Sequence, residues 1–308
     1  MVILLNGRPL PEPTAPPIFE AENTQDARRL VAAQARMYSD AKRLFYGRIV
    51  AVFALSVAAM ATSAVWPDSR VLIGGGGGLL LFGGSFIIES IEKRQRLQAA
   101  ATQELFDTRI FQIEWNSLYA ARPPAIAIAK AAKCYRGGRD ANWYEDTAGT
   151  HRPFDVLICQ ATNLGWGATM HRLWAWLLVG MFAVAVAVLG AAWVVLRLPP
   201  DAALLTLFVP FLAPAKELAN LIRSNFDASS TKESAERTLS EVWEKGMFEN
   251  IVPDESKLRS IQDKILTLRQ ANAYVPDWLD SIFHKRNEAV MRASVADRVL
   301  QAKRHGYG

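Results

Sequence analysis

The residues of this chain that could do chemistry stand mostly apart from one another. Cys159 lies in the stretch VLICQ, with His151 and His171 on either side in the chain. A cysteine nucleophile needs a base within hydrogen-bond reach or a cationic setting that holds it as thiolate. A small thiol on an apolar stretch is far more often core packing, and that is the reading favoured for Cys159. Glu145, Asp146 and Asp280 have no partner at acid–base spacing, and the four histidines form no ligand cluster. There is no Walker loop, GxSxG elbow, HExxH helix or cysteine pair at metal spacing. The expectation is a protein that is not an enzyme and carries no metal or cofactor.

One charged pair stands out by its surroundings. The stretch VPFLAPAKELAN places Lys216 and Glu217 just after Pro210 and Pro214, inside an apolar run. Two prolines four apart remove backbone hydrogen bonds, which a membrane helix tolerates only where neighbouring helices or water compensate. Charge at membrane depth is by default functional. Lys216 is also close enough to the end of its run to snorkel to the headgroups. Pore lining and snorkelling stand level on sequence alone.

The elements that must position these residues are set by two apolar blocks. The first runs from Ile49 to Trp66, breaks at Pro67–Arg70, and resumes from Val71 to Ile91; the second runs from Leu173 to Leu196, breaks at Arg197–Asp201, and resumes from Ala202 to Ile222. Each arm approaches the roughly 20 residues needed to cross about 30 Å of hydrocarbon. Trp66 and Trp193 fall near arm ends, where a membrane interface favours tryptophan. Lys42, Arg43, Arg48, Lys93, Arg94, Arg96, Arg172 and Arg223 flank the blocks, whereas the tight turns carry only Arg70 and Arg197. The positive-inside rule then puts both termini and the central segment in the cytoplasm of a bacterial inner membrane. The net charge of +5 is accounted for by juxtamembrane basic residues facing anionic lipid, with no DNA or RNA binding expected. No signal peptide is evident, and Cys134 and Cys159 fall in the cytoplasmic part, where thiols stay reduced.

The fold class expected is a mainly α membrane protein: two transmembrane helical hairpins (four spans) with a mostly helical cytoplasmic domain built from N-terminal, central and C-terminal segments. Residues 1–23 read as a flexible proline-rich arm, 24–48 as a cytoplasmic helix and 49–91 as the first hairpin. Residues 92–172 form the central segment, 173–222 the second hairpin and 223–308 the C-terminal helical segment. Phe106 to Asn116 alternates Phe111, Ile113 and Trp115 on one face, which suggests an extended piece. Ser230 with Glu233 suggests a capping box, and Asp277 an N-cap.

The stretch VLIGGGGGLLLFGGSFIIESI holds seven of the nineteen glycines. In lipid the backbone keeps its helical hydrogen bonds, so glycine chiefly removes bulk and lets another helix approach. Gly74 and Gly78, extended by Gly83 and Gly84, define such a surface. Its expected partner is the first arm of the same hairpin, whose Ala58, Ala59, Ala61 and Ala64 are also small; the sharper reading is a sliding contact between protomers.

Four stretches, in order around the two hairpins, carry a resemblance: AAQARMYSDAK (Ala32–Lys42), LFDTRIFQIEWN (Leu105–Asn116), NWYEDTAG with ICQATNLGWGATMHRLWAW (within Asn142–Trp176), and IQDKILTLRQANAYVPDWL (Ile261–Leu279). Together they resemble the SMODS-associating four-transmembrane effector family. The resemblance implies a membrane effector of cyclic-oligonucleotide-based anti-phage signalling (CBASS). A cGAS-like nucleotidyltransferase would make a cyclic di- or trinucleotide, and the effector would bind it, oligomerise, permeabilise the inner membrane and cause abortive infection. Where the family is expected to carry a charge before the third span, this chain has Gly165 and Gly167 flanking Trp166.

A cyclic nucleotide presents phosphodiesters and flat bases, so its receptor needs arginines, aromatics and amide or carboxylate groups for base edges. The resembling stretches supply Arg109, Arg172 and Arg269; Trp115, Trp143, Tyr144 and Trp278; and Asn142, Gln160, Asn163, Gln262 and Asp263. Taken singly, each reads more readily as structural: Trp115 and Trp278 as core, and Gln262, Asp263 and Arg269 as ties between helices. Pore or helix-packing candidates are Gly74, Gly78, Pro210, Pro214, Lys216 and Glu217. Expected partners are the cyclic oligonucleotide, membrane lipid and further copies of the chain. The competing reading is a membrane scaffold or small transporter whose cytoplasmic part binds a protein.

Overall fold

The structure, a computed structural model of the chain, describes residues 4–5, 8–9, 16–147, 149–164, 167–271 and 273–308. Within the proline-rich arm, Leu4–Leu5 pairs antiparallel with Arg8–Pro9; residues 10–15 lie outside the described set. The arm expectation extended too far, because Ile18–Glu22 forms a helix, α1, with Ile18 and Glu22 buried. Beyond it run α2 (Gln25–Val65), α3 (Gly78–Phe111), α4 (Ala125–Cys134), α5 (Phe154–Leu164), α6 (Gly167–Leu196), α7 (Pro200–Ala203), α8 (Val209–Glu249), α9 (Glu255–Ala271) and α10 (Asp277–Arg304). Two wide π-helical segments, Arg70–Gly77 and Leu204–Phe208, lead into α3 and α8.

Several boundaries differ from those the sequence suggests. Phe106–Phe111 continues α3 as helix, because Phe106, Ile110 and Phe111 all bury on its inward face. The alternation seen in sequence survives only after Gln112, whose left-handed φ of 56° ends the helix. Arg197 (φ 50°) and Asn250 (φ 56°) close α6 and α8 in the same way. Ser230 caps nothing, being interior to α8, which is continuous from the fourth span. Asp277 opens α10 as its first residue, with Pro276 at the cap. Gly165 and Trp166 lie outside the described residues; α6 starts at Gly167.

The chain divides into two units. The first comprises Met1–Met37, Leu97–Met170 and Ala228–Gly308; the second comprises Tyr38–Arg96 and His171–Asp227. Helices α2, α3, α6 and α8 each supply residues to both.

The first unit has a conventional apolar core. Phe106, Phe154, Leu157, Ile158, Leu164, Leu239, Met247, Ile261 and Ile265 are nearly or wholly excluded from solvent. Phe154 packs against Tyr307 with the rings tilted by 43° at 4.3 Å and meets Trp243 edge-on at 5.8 Å. Gly246 makes this possible: a Cβ there would collide with the Phe154 ring.

The second unit reverses the pattern. Val50, Val57, Leu72, Leu80, Ile87, Val184, Val188, Val194 and Val195 point outward, while Ser56, Ala59, Ser63, Ala175, Ala203, Thr206 and Ala213 are inside. An apolar exterior over a small and polar interior is what hydrocarbon solvent selects, since tails gain nothing by excluding Leu or Val. Four helical stretches are long and apolar enough to cross a membrane. The protein is a four-span helical membrane protein.

The glycine surface has a different partner from the one expected. Gly74 lies against the Leu205 carbonyl as well as Ser63, and a Cβ on Gly78 would stand 3.1 Å from the Pro210 backbone. The glycines thus receive chiefly the fourth span, π-segment against π-segment, where one short backbone-to-backbone approach excludes any side chain. Gly83 and Gly84 take no part, with nothing within 4 Å of where a Cβ would be.

Candidate functional site

The first unit contains a closed polar network built from its three resembling segments. Glu104 and Asp107 stand three residues apart on one face of α3, at 1% and 0% exposure. Buried carboxylates require partners, and α9 supplies them. Arg259 reaches Glu104 at 2.6 Å, Arg269 reaches Asp107 at 2.6 Å, and the Gln262 amide donates to both carboxylates at 2.9 Å. From α5, Asn163 accepts from Arg269 at 2.9 Å and donates to the Tyr144 hydroxyl at 2.7 Å. That hydroxyl in turn donates to Asp107 at 2.7 Å, and burial beside this carboxylate holds the phenol well above its ordinary value. Gln160 donates to Gln262 at 3.1 Å and to the Leu258 carbonyl at 2.9 Å. Asp263 accepts from Asn116 at 2.9 Å and pairs with Arg259 at 2.8 Å.

Six candidate ligand residues are therefore brought together: Tyr144, Gln160, Asn163, Gln262, Asp263 and Arg269. Their polar atoms are turned on one another, which is the structural reading weighed for them. The arginine and carboxylates that anchor the network, Arg259, Glu104 and Asp107, were missed. Reading Phe106–Asn116 as extended hid the i, i+3 spacing that would have placed both carboxylates on one buried helix face.

The remaining candidates divide. Arg109 and Trp115 share a surface cleft of about 380 Å³ with Arg122, Thr108 and Glu114, floored by Leu105 and Ile113. The Arg122 guanidinium lies 5.6 Å over the Trp115 ring, and the indole N–H donates to the Ala120 carbonyl at 3.1 Å. An exposed arginine, a second arginine stacked on an indole and an apolar floor suit an anion attached to a flat ring. Asn142 exchanges hydrogen bonds with Asn23 at 3.0 and 3.1 Å, tying the loop to the end of α1. Trp143, partly exposed, meets Phe106 edge-on. Trp278, expected in the core, is 56% exposed. Arg172 is exposed and belongs to the second unit. Cys159 is buried among apolar side chains, as the packing reading requires.

A second cleft of about 320 Å³ lies among α5, α8 and α10, with Ile158, Leu239, Val295, Glu236 and Arg298 in its walls. It offers one arginine and one carboxylate, Arg298 and Glu236, where the cleft at Arg109 sets two arginines and an indole beside the single carboxylate of Glu114.

In the second unit, charge is concentrated between spans one, two and four. Arg48 pairs with Glu217 and Glu92, and Lys216 bonds Glu89 at 2.8 Å and the Ser85 hydroxyl at 3.0 Å while lying 3.5 Å over the Phe86 ring. Arg96 holds the other oxygen of Glu92 at 2.9 Å. Lys216 therefore turns toward these partners, with its side chain 11% exposed. Pro210 and Pro214 are buried on the same helix. Arg48, Glu89 and Glu92 were not singled out in the sequence, where Arg48 reads as one more flanking basic residue. Among the described residues, no group of three or more His, Cys, Asp or Glu side chains is placed to hold a metal ion.

Fold and sites thus define a four-span helical membrane protein with an attached α-helical unit carrying an arginine- and tryptophan-lined cleft. The chain belongs to the family of the SMODS-associating 4TM effector domain, whose model matches residues 16–298. It is also 22% identical, over 170 residues, to a probable CBASS effector molecule of Bacillus cereus (strain VD146); the match takes in 50% of this chain and 55% of the relative. The chain thus spans about half the length of the curated relative it matches. No solved structure matches.

Proposed function

We propose that this protein is the membrane effector of a CBASS anti-phage system. It binds a cyclic di- or trinucleotide made on infection by a coupled cGAS-like nucleotidyltransferase, assembles with further copies of itself, and permeabilises the bacterial inner membrane so that infection aborts. The observation that carries this reading is the family match over residues 16–298, which takes in both the four spans and the helical unit. The relative's description as a probable CBASS effector supports the same class. The cleft of Arg109, Trp115 and Arg122 supplies cationic and aromatic groups of the kind that phosphodiesters and bases require. The excess of basic residues at the outer ends of both hairpins supports cytoplasmic termini and a cytoplasmic helical unit.

Ligand drives such a change only by binding the active state more tightly than the resting one. Helices α2, α3, α6 and α8, which contribute to both units, offer a covalent route for that preference. The test is potassium efflux from proteoliposomes holding the purified protein, measured against a panel of cyclic oligonucleotides. Efflux with one member of the panel is expected, and silence with every member overturns the proposal.

A further inference from the structure

We infer that copies of this chain assemble head to tail through two unlike patches of the first unit. One is an apolar, basic knob formed by the α3–α4 loop and α4; the other is an acid-rimmed apolar socket among α5, α8 and α10. The inference rests on the self-assembly proposed above and assigns its surface.

The knob combines charge with exposed apolar bulk. From Leu118 to Arg139 the chain carries five basic residues, Arg122, Lys130, Lys133, Arg136 and Arg139, and no acidic one. All five are exposed. Among them Leu118 is 92% exposed and Ile126 80%. The segment is nonetheless tied down. Gln270 of α9 donates to the Tyr119 carbonyl at 2.9 Å, and the Leu118 N–H donates to the Asn116 side chain at 3.1 Å. In α4 the helical period turns Ile128, Ala131 and Ala132 onto the core. Ile126, Lys130 and Lys133, at i, i+4 and i+7, are left on the outer face. A hydrogen-bonded loop that holds leucine and isoleucine out in water marks an interaction surface.

The socket has the opposite character. The cleft of about 320 Å³ is walled by Ile158, Leu239, Val290, Met291 and Val295. A groove of about 700 Å³ along α8 shares Glu236 and Ser240 with it, and adds Glu233, Glu241 and Glu244 against Arg237. The spacing of the four carboxylates puts them on one face of α8, as a rim to the apolar cleft. Arg298, the cation in the cleft wall, lies 5.5 Å over the Trp243 ring and shares that wall with Glu236.

Charge selects the occupant. An aliphatic cleft rimmed by carboxylates suits a partner that projects aliphatic side chains from a wholly basic surface. This chain carries such a surface. Its Leu118 and Ile126 are exposed, so they do not fill the socket of their own protomer. Leu118 or Ile126 of one copy enters the cleft of the next, and Lys130 and Lys133 meet Glu241 and Glu244. Copies inserted the same way in one bilayer are related by an axis along the membrane normal. Two unlike patches then form a heterologous contact, which closes into a ring when the rotation allows. Arg122 belongs both to the knob segment and to the cleft at Arg109, so an anion bound there lies at the edge of the contact.

The test is sedimentation velocity of the full-length protein in detergent, without nucleotide and with each member of the cyclic-oligonucleotide panel. Lys130→Glu with Lys133→Glu, and separately Glu241→Lys with Glu244→Lys, should each weaken self-association about tenfold or more. All four changes together should restore it, because the charges are exchanged. The four positions are exposed, so melting temperatures should stay at the wild-type value. A mixture of Leu118→Asp, Ile126→Asp copies with Ser240→Trp copies should stop at dimers, since each copy keeps one working patch.

Self-association untouched by either charge pair, no recovery in the fourfold variant, or larger species in the mixture overturns the interface while leaving self-assembly standing. A wild type that stays monomeric in every condition overturns both. Assembly through this surface, with no nucleotide releasing potassium from proteoliposomes, keeps the interface and rejects the ligand reading.

Discussion

Arg269 of α9 and Asp107 of α3, 162 residues apart in the chain, meet at 2.6 Å with the carboxylate wholly buried. Removing one member of a buried pair leaves the other charged and unpartnered, which costs about 3–5 kcal/mol. Arg269→Met is therefore expected to lower the melting temperature sharply. Arg269→Met with Asp107→Asn should cost less than the sum of the single changes, because the neutral amide no longer needs a cation. Thermal unfolding of the four corners of that cycle in detergent is the measurement. Additive effects would mean that the pair is not coupled as its geometry requires.

Glu22 gives a pH signature. Its carboxyl is buried at the end of α1, accepts the Tyr144 N–H at 3.0 Å, and is pushed up to about 7 by burial and, less, by the nearby Asp146. The folded protein holds this proton in a window where the unfolded chain, with an ordinary value of 4.5, has released it. Stability from this group is thus fully present below about 4.5 and lost as pH rises through 7. Glu22→Gln keeps an acceptor for Tyr144 and removes the titration. The variant should match the wild type near pH 4.5 and exceed it increasingly toward pH 7.5, in melts across that range; a constant difference would exclude the linkage.

How much of this was legible follows from the range of the interactions. The four spans were, because an apolar run is a local property of about 20 residues. The polar network was legible only as a set of residue types. Its bonds join α3 to α9 and α5, and nothing near Asp107 in sequence announces Arg269. Phe106–Asn116 misled because its bulky residues suit a strand, while burial of Phe106, Ile110 and Phe111 on one face made it helix. Lys216 was left open for the same reason: its depth was readable, but the Glu89 it bonds lies on another span. The glycine run announced a close approach without naming its partner, since a missing side chain records only that something comes near.

The cleft of Arg109, Trp115 and Arg122 predicts a separation of binding from stability. A hydrogen bond to a charged group contributes about 1.5–3 kcal/mol, so Arg109→Ala or Arg122→Ala should each weaken the activating cyclic oligonucleotide about tenfold or more. Because Arg109 is exposed at the end of α3, its truncation should leave the melting temperature within a degree or two. Titration calorimetry with parallel melts distinguishes this from a structural role. Unchanged affinity in both variants would place the ligand elsewhere in the unit.

The glycine run predicts a contrast between positions that composition treats as equal. A side chain on Gly78 meets the backbone of Val209 and Pro210 at 3.1 Å, and neither can yield without moving the fourth span. Gly83 and Gly84 have nothing within 4 Å, and Gly76 meets only its own segment at 3.8 Å. Overpacking of this kind costs about 1–3 kcal/mol, and more where backbone rather than a rotatable side chain must give way. Gly78→Leu should therefore destabilise the second unit in thermal melts, whereas Gly83→Leu and Gly84→Leu should be tolerated and Gly76→Leu nearly so. If all four behave alike, the run acts through helix propensity and not through contact with the fourth span. If of the four only Gly78→Leu fails, the surface is a packing seat whose width is fixed where Gly74 and Gly78 meet the backbone of the fourth span.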